Sequence, residues 1–218
     1  QRHAALLAHQ HAMSQKRQIV VVGDGIVDVV TRGGQEPTRH PGGAALNVAK
    51  GVAILGHAST LIFNSADDEL GKELCDHLVA HGVIPHGLPT SAPTGVANAY
   101  FETPESEPVY SFNDAIVERH YDFTAASGSL IAGAEGVALT SLALDDESSV
   151  DGYLRQLSGS GAFSAVDPNP RPALLARRER YRDGFERVSA SSRLVKLSDE
   201  DIALLYGPSE GQAAVERL

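Results

Sequence analysis

A single cysteine, Cys75, among 218 residues rules out an internal disulfide and fits a reducing cytoplasm. No apolar run approaches the ~18 residues that a membrane-spanning helix needs, so no membrane partner is expected. Positive charge is scarce as well. Lys and Arg total 18 against 28 Asp and Glu, a formal charge of −10 with no long basic block. That balance removes the electrostatic footprint of nucleic-acid binding. No Gly-x-x-x-x-Gly-Lys-Ser/Thr string occurs, which excludes a Walker-type phosphate loop, and no Gly-x-Ser-x-Gly elbow supports a hydrolase. Gly23-Asp24-Gly25 follows a strand, yet Asp28 stands where a dinucleotide fingerprint needs its third glycine. His77 and His81 lie four apart on one helix face, but no further ligands cluster with them to make a zinc site. Methionine is equally rare: Met13 is the only one, and is read as the native start. Residues 1–12, with His3, His9 and His11, then read as a tag or vector-derived segment.

What remains is an ordinary globular composition, 42% hydrophobic and 21% charged, with room for one large α/β domain and an appendage. Ile19–Val22 is a β-branched run ending at Gly23, the pattern of a buried first strand, and Ile26–Val30 continues in extended style. Residues 31–41, rich in Gly and Pro, read as a loop or short edge ribbon. Ala44, Ala45, Val48, Ala49, Val52 and Leu55 recur at helical spacing and predict a core-facing helix over 44–55. Strand Ser59–Phe63 follows. Asp67 or Asp68 can cap a helix whose stripe is Leu70, Leu74, Cys75, Leu78 and Val79, stopped near His81-Gly82.

Between Pro93 and Phe112 the pattern alternates, with Val96, Asn98 and Tyr100 on one face, and a turn-rich 103–108 between the halves. It predicts a β-hairpin outside the main sheet. Further on, strand Gly136–Thr140, a helix near Glu147–Leu157, strand Gly161–Val166, helical sequence over 173–190 and strand Arg193–Leu197 alternate. Ser198 then caps a helix stopped by Gly207-Pro208. Alternation of this kind implies a three-layer, doubly wound, mostly parallel sheet with helices on both faces.

Three short strings carry chemistry. Pro41-Gly42-Gly43-Ala44-Ala45-Leu46-Asn47 opens a helix with two glycines, so a ligand can approach backbone N–H groups that no Cβ shields. Asn47 adds a donor and an acceptor, which suits a polyhydroxylated ligand. Asp167-Pro168-Asn169-Pro170-Arg171 leaves a strand at its carboxyl end, where open parallel sheets bind ligands, and Arg171 can clamp a phosphate bidentately. Lys196-Leu197-Ser198-Asp199-Glu200-Asp201 leaves the next strand and enters a helix.

The first string, closed by Leu55-Gly56, resembles the first signature of the ribokinase-like (PfkB) carbohydrate kinases. The second resembles the Asp-x-Asn-x-Arg element of their fructokinase and ketodeoxygluconate-kinase branches. The resemblance covers residues 18–218 and implies a ribokinase-like fold with a small β lid, formed by segments near 29–41 and 93–118. It implies an ATP-dependent kinase that transfers the γ-phosphoryl to a fructose-like or keto-sugar hydroxyl, with Mg²⁺ as cofactor. Asp28, Gly42, Gly43, Asn47 and, from the lid, Asn98 would hold the sugar. Phe112 and Arg119 lie near the hairpin's exit as further candidates. Asn169, Arg171, Lys196 and Ser198 would face the phosphate and nucleotide, and Asp201 the metal. A homodimer through the lid is expected, because an alternating two-stranded ribbon is marginal alone.

The departures are as informative. Ala66 stands where the first signature expects its last glycine. The family's second signature, Gly-Ala-Gly-Asp, supplies the general base, and these 218 residues do not contain it. The resemblance places that catalytic aspartate, and the adenine pocket with it, beyond Leu218. The expectation is therefore a domain incomplete at its C-terminal side, with no catalytic residue assigned and no activity of its own. The alternative is a non-catalytic sugar-binding or regulatory module derived from such a kinase.

Overall fold

A computed structural model describes residues 17–103 and 106–217. The expectations for residues 1–12, for Met13 and for the region beyond Leu218 lie outside them, as does Leu218 itself. β1 (Gln18–Gly23) is central to a six-stranded parallel sheet of order β10-β9-β8-β1-β4-β5. Its other strands are β4 (Ala58–Ser65), β5 (Val83–Pro89), β8 (Gly136–Thr140), β9 (Phe163–Asp167) and β10 (Leu194–Val195). Val20, Val21 and Val22 are wholly buried, as the β-branched run predicts for a strand covered on both faces. Strand alternation divides the core. Val21 joins Leu61, Phe63, Ala45 and Leu46 on one face. Val20 and Val22 join Ile62, Leu139, Tyr153 and Phe185 on the other. The three layers and the parallel sheet agree with the sequence reading.

The first face is covered by α1 (Ala44–Ile54) and α2 (Glu69–Ala80). Asp68 caps α2, accepting from the Gly71 N–H at 2.7 Å. The buried stripe of α1 is Ala45, Leu46 and Ala49, while Val48 is exposed, as is Leu55 just beyond the helix. The stripe expected through Val48 and Leu55 is one step off. Ala45 and Ala49 let the helix sit close to the sheet around Leu46, while Val48 and Leu55 turn outward. Val79 of α2 is exposed for the same reason of register.

The second face carries α4 (Ala125–Ala132), α5 (Glu147–Leu157) and α6 (Arg178–Ser189), with α7 (Asp199–Leu205) and α8 (Gly211–Arg217) continuing beyond. Several elements are absent from the sequence reading, β5 and α4 among them. β5 contains Pro85, Gly87 and Pro89, which break strand patterning but are tolerated on a sheet edge. α4 is short and rich in Ser and Gly, and is started by a capping box between Thr124 and Ser127. The helix expected from 173 begins instead as a 3₁₀ turn at Pro172–Leu174, and α6 starts only at Arg178.

A second sheet stands apart, in the order β3-β2-β6-β7. It comprises β2 (Ile26–Arg32), β3 (Thr38–Gly42), β6 (Val96–Phe101) and β7 (Val109–Phe112), followed by the single turn α3 (Asp114–Val117). β2 pairs antiparallel with β3 and parallel with β6, so segments 29–41 and 93–118 meet in one layer. The 93–112 hairpin forms as expected, Asn98 opposite Ser111 and Tyr100 opposite Val109.

Candidate functional site

A cleft of about 460 Å³ opens between the second sheet and the carboxyl ends of β1, β8 and β9. From β1 the chain runs to β4 on one side, while β8 and β9 extend to the other. The cleft therefore lies at the point where strand order reverses, the usual ligand site of doubly wound sheets.

Asp28, Gly43, Asn47, Asn169 and Arg171, all singled out by sequence, line this one cleft, as do the further candidates Phe112 and Arg119. Asp28 projects from the inner face of β2. Burial pushes its carboxyl up from the ordinary value, and His40 and Arg171 pull it partly back. Gly42 is packed against it: a Cβ there would collide with Asp28 Oδ2. Gly43 is the N-cap of α1 with φ 97, a left-handed backbone, and its own Cβ would meet the Asp24 carbonyl at 2.5 Å. No side chain caps this helix and its first turn holds no acid, so its leading N–H groups face the cleft region uncapped. Asn47 sits one turn in.

On the opposite wall, Asn169 and Ser141 both hold left-handed backbone, at φ 44 and 54. Asn169 Nδ2 donates to Ser141 Oγ at 2.8 Å, and Asn169 N–H donates to Asp167 Oδ1 at 3.1 Å. Tyr181 Oη donates to the Pro168 carbonyl at 2.6 Å and pins the same loop. Arg171 leaves this loop toward the cleft.

The floor contains a buried group that sequence reasoning did not assemble. Asp24 pairs with Arg119, Nε to Oδ2 at 3.4 Å, and accepts a hydrogen bond from Tyr121 Oη. Arg119 also donates to the carbonyls of Ile116 at 2.8 Å and Leu142 at 3.3 Å. Burial raises the Asp24 carboxyl, with Arg119 and Tyr121 opposing that rise. Asp24 had a local signal, a carboxylate between two glycines after the first strand. Ser141 had none.

Asn98, Lys196, Ser198 and Asp201, also singled out by sequence, lie outside the cleft lining. Asn98 does not line the cleft. Ala97 and Ala99 do, and because neighbours on a strand point to opposite faces, Asn98 lies on the outer face with Tyr100. Lys196 and Ser198 are also not among the cleft-lining residues. Lys196 Nζ pairs with Asp167 at 3.1 Å and Asp201 at 3.6 Å, and these partners hold its ammonium above the ordinary value against the opposing effect of burial. Asp201 closes a capping box with Ser198. Its Oδ2 accepts from the Ser198 N–H at 2.8 Å, while its own N–H donates to Ser198 Oγ at 3.1 Å. Among the described residues, no group of three or more His, Cys, Asp or Glu could hold a metal. The catalytic aspartate expected beyond Leu218 falls outside the described residues, and no residue of the cleft is assigned its role. The His77 and His81 rings lie 4.2 Å apart, tilted by 35°, and His77 is bonded to Lys50 at 3.0 Å. No helix of the described residues is long and apolar enough to cross a membrane.

Residues 16–218 match the pfkB family of carbohydrate kinases. A fructokinase of Klebsiella pneumoniae is 28% identical over 207 residues, which are 92% of this chain and 66% of that protein. Fructokinase-1 of Oryza sativa subsp. japonica is 27% identical over 77% of this chain and 53% of its own length. The chain thus spans no more than about two thirds of either relative. Among solved structures, fructokinase from Xylella fastidiosa superposes with a TM-score of 0.73 at 24% identity, over 93% of this chain and 66% of that one. The same fructokinase with bound ATP superposes equally well, with a TM-score of 0.73.

Proposed function

We propose that this chain, which belongs to the pfkB family of carbohydrate kinases, forms the sugar side of an ATP-dependent kinase acting on a fructose-like or keto-sugar hydroxyl. The observation that carries the reading is the convergence of Asp28, Asn47, Gly43 and Arg171 on one cleft at the reversal of strand order. In this role Asp28 accepts hydroxyl protons of the sugar, and Asn47 both donates and accepts. Gly42 and Gly43 keep backbone and carboxylate free of side chains. Arg171, steadied by the Asn169–Ser141 bond, faces the transferred phosphoryl as a planar bidentate clamp. Lys196 and Ser198 follow β10, on the side from which ATP would approach.

The reaction is in-line transfer, in which positioning and charge neutralisation do most of the catalysis. The general base is assigned to no residue here, because the 218 residues hold no Gly-Ala-Gly-Asp string. The described residues also hold no group of three or more His, Cys, Asp or Glu that could bind magnesium. The exposed outer face of the second sheet, with Tyr100 and Val109, would form a homodimer contact.

The test has two arms. Ligand-observed NMR on the 218-residue chain should detect sugar binding from a panel of hexoses, pentoses, keto-sugars and nucleosides. Isotope-labelled ATP should show phosphoryl transfer only in a longer form carrying Gly-Ala-Gly-Asp. Absence of binding across the panel would overturn the sugar site, and absence of transfer in the longer form would overturn the kinase.

A further inference from the structure

Through Arg119, His120 and Tyr121 the chain returns from β7 and α3 to the main body, and this short segment is gripped from both sides. Arg119 and Tyr121 are buried and turn inward, where both meet Asp24 in the cleft floor. His120 turns outward between two carboxylates, Nδ1 to Asp146 Oδ2 at 2.6 Å and Nε2 to Asp122 Oδ1 at 3.0 Å. Asp146 is the N-cap of α5, accepting from the Ser149 N–H at 3.0 Å and the Ser149 hydroxyl at 2.6 Å. That same hydroxyl accepts the Tyr121 N–H at 2.8 Å. One carboxylate thus ties His120, Tyr121 and the head of α5 together. Upstream, Arg119 donates to the carbonyl of Ile116, which itself lines the cleft, so slack in residues 119–121 is passed to the cleft wall.

The charged groups facing the His120 ring are Asp122 on its own segment and Asp146 from α5. Ser148 and Ser149, 3.3 and 3.4 Å from Nδ1, are neutral, as is Asn64 of β4, which donates to the His120 carbonyl at 2.9 Å. Only the imidazolium can donate to both carboxylates. A neutral ring has one N–H and sets a bare nitrogen lone pair against the other carboxylate. The Asp146 hydrogen bond raises the imidazole from its ordinary value of 6.5, opposed by burial. The double bridge is therefore complete below that value and is lost as pH rises through the folded one.

We propose that His120 is a pH-sensitive latch: bridged to Asp122 and Asp146 it holds Arg119 and Tyr121 on the cleft floor, and its deprotonation loosens α3 and the second sheet over the cleft. The consequence for ligand affinity rests on the sugar-site reading above; the latch itself does not.

Hydrogen exchange of the 218-residue chain, followed by NMR, reads the latch without a ligand. Protection of the Tyr121 and Ile116 amides, corrected for the intrinsic pH dependence of exchange, should fall about two- to fivefold between about pH 6 and 8, a modest change because the ring is largely solvated. Fructose, titrated over the same range, should lose affinity by a similar factor. His120→Asn should flatten both profiles, and Asp122→Asn should move the midpoint of each to lower pH. Flat protection in the parent, or an equal slope in His120→Asn, would overturn the latch. A fructose profile that changes while protection stays flat would assign the pH dependence to the cleft's own carboxylates, and would overturn it too. Changing protection with constant fructose affinity would overturn the coupling to the cleft. Absence of fructose binding would count against the sugar reading alone, with the exchange data still deciding the latch.

Discussion

Asn169 donates its side-chain amide to the Ser141 hydroxyl at 2.8 Å, and both residues hold left-handed backbone. Two non-glycine residues in that region, bonded to each other across the ends of adjacent strands, store strain beside the cleft. Asn tolerates φ 44 far better than a β-branched residue. Asn169→Gly should stay within about 1 kcal/mol of the parent, relief of strain offsetting the lost hydrogen bond and the freer unfolded chain. Asn169→Val should destabilise by about 2 kcal/mol more. Urea unfolding of the two variants checks this, and equal stabilities would count against the strain.

The two glycines at the head of α1 should respond differently to alanine. At Gly42 the new Cβ meets the far end of Asp28, a carboxylate that can swing away, so folding should survive while sugar binding weakens. At Gly43 it meets the Asp24 backbone carbonyl at a left-handed φ, so Gly43→Ala should cost about 1–2 kcal/mol of stability. Chemical denaturation beside sugar titration separates the two effects.

Arg119 and Asp24 are both buried, and removing one leaves the other charged or unpaired. Arg119→Met should destabilise by about 3–5 kcal/mol. Asp24→Leu combined with Arg119→Met should be less damaging than the sum of the single changes, as a double-mutant cycle would measure. Strict additivity would mean that the pair is not coupled.

His120 sits between two carboxylates, Nδ1 to Asp146 at 2.6 Å and Nε2 to Asp122 at 3.0 Å. Only the imidazolium can donate to both, and the Asp146 hydrogen bond raises its folded pKa against the opposing effect of burial. A raised folded pKa means the contribution is complete below the unfolded value near 6.5, and is lost as pH rises through the folded value. The group is largely solvated, so the effect should be below about 1 kcal/mol. Thermal melts from pH 6 to 8 should show a decline that His120→Asn flattens, and an identical slope in both proteins would refute the link.

The outer face of the second sheet offers the sharpest contrast with the cleft. Asn98→Ala should leave sugar affinity unchanged, because the side chain points away from the cleft. Val109→Glu should shift a homodimer to monomer in light scattering, and a parent that is already monomeric at high concentration would remove the dimer.

Much of the site was legible because its signals are local. A glycine pair before a helix, an amide one turn in, and Asp-x-Asn-x-Arg after a strand each occupy a few consecutive residues. The backbone requirements of Gly42 and Gly43 are likewise written at those positions. The alternation around Asn98 was also readable, and its face was shared correctly with Tyr100. Which of the two faces met the cleft was not readable, because that depends on where the second sheet docks.

The sequence alone determined the alternating strands and helices, since burial on both faces demands β-branched runs and burial on one demands a helical stripe. It also determined the residue types that could recognise a sugar and a phosphate. Only the tertiary structure decided that Asp24 meets Tyr121 across 97 positions, and that Asn169 meets Ser141 across 28. Such meetings depend on sheet order and on the register between strands distant in the chain, which no window of consecutive residues encodes.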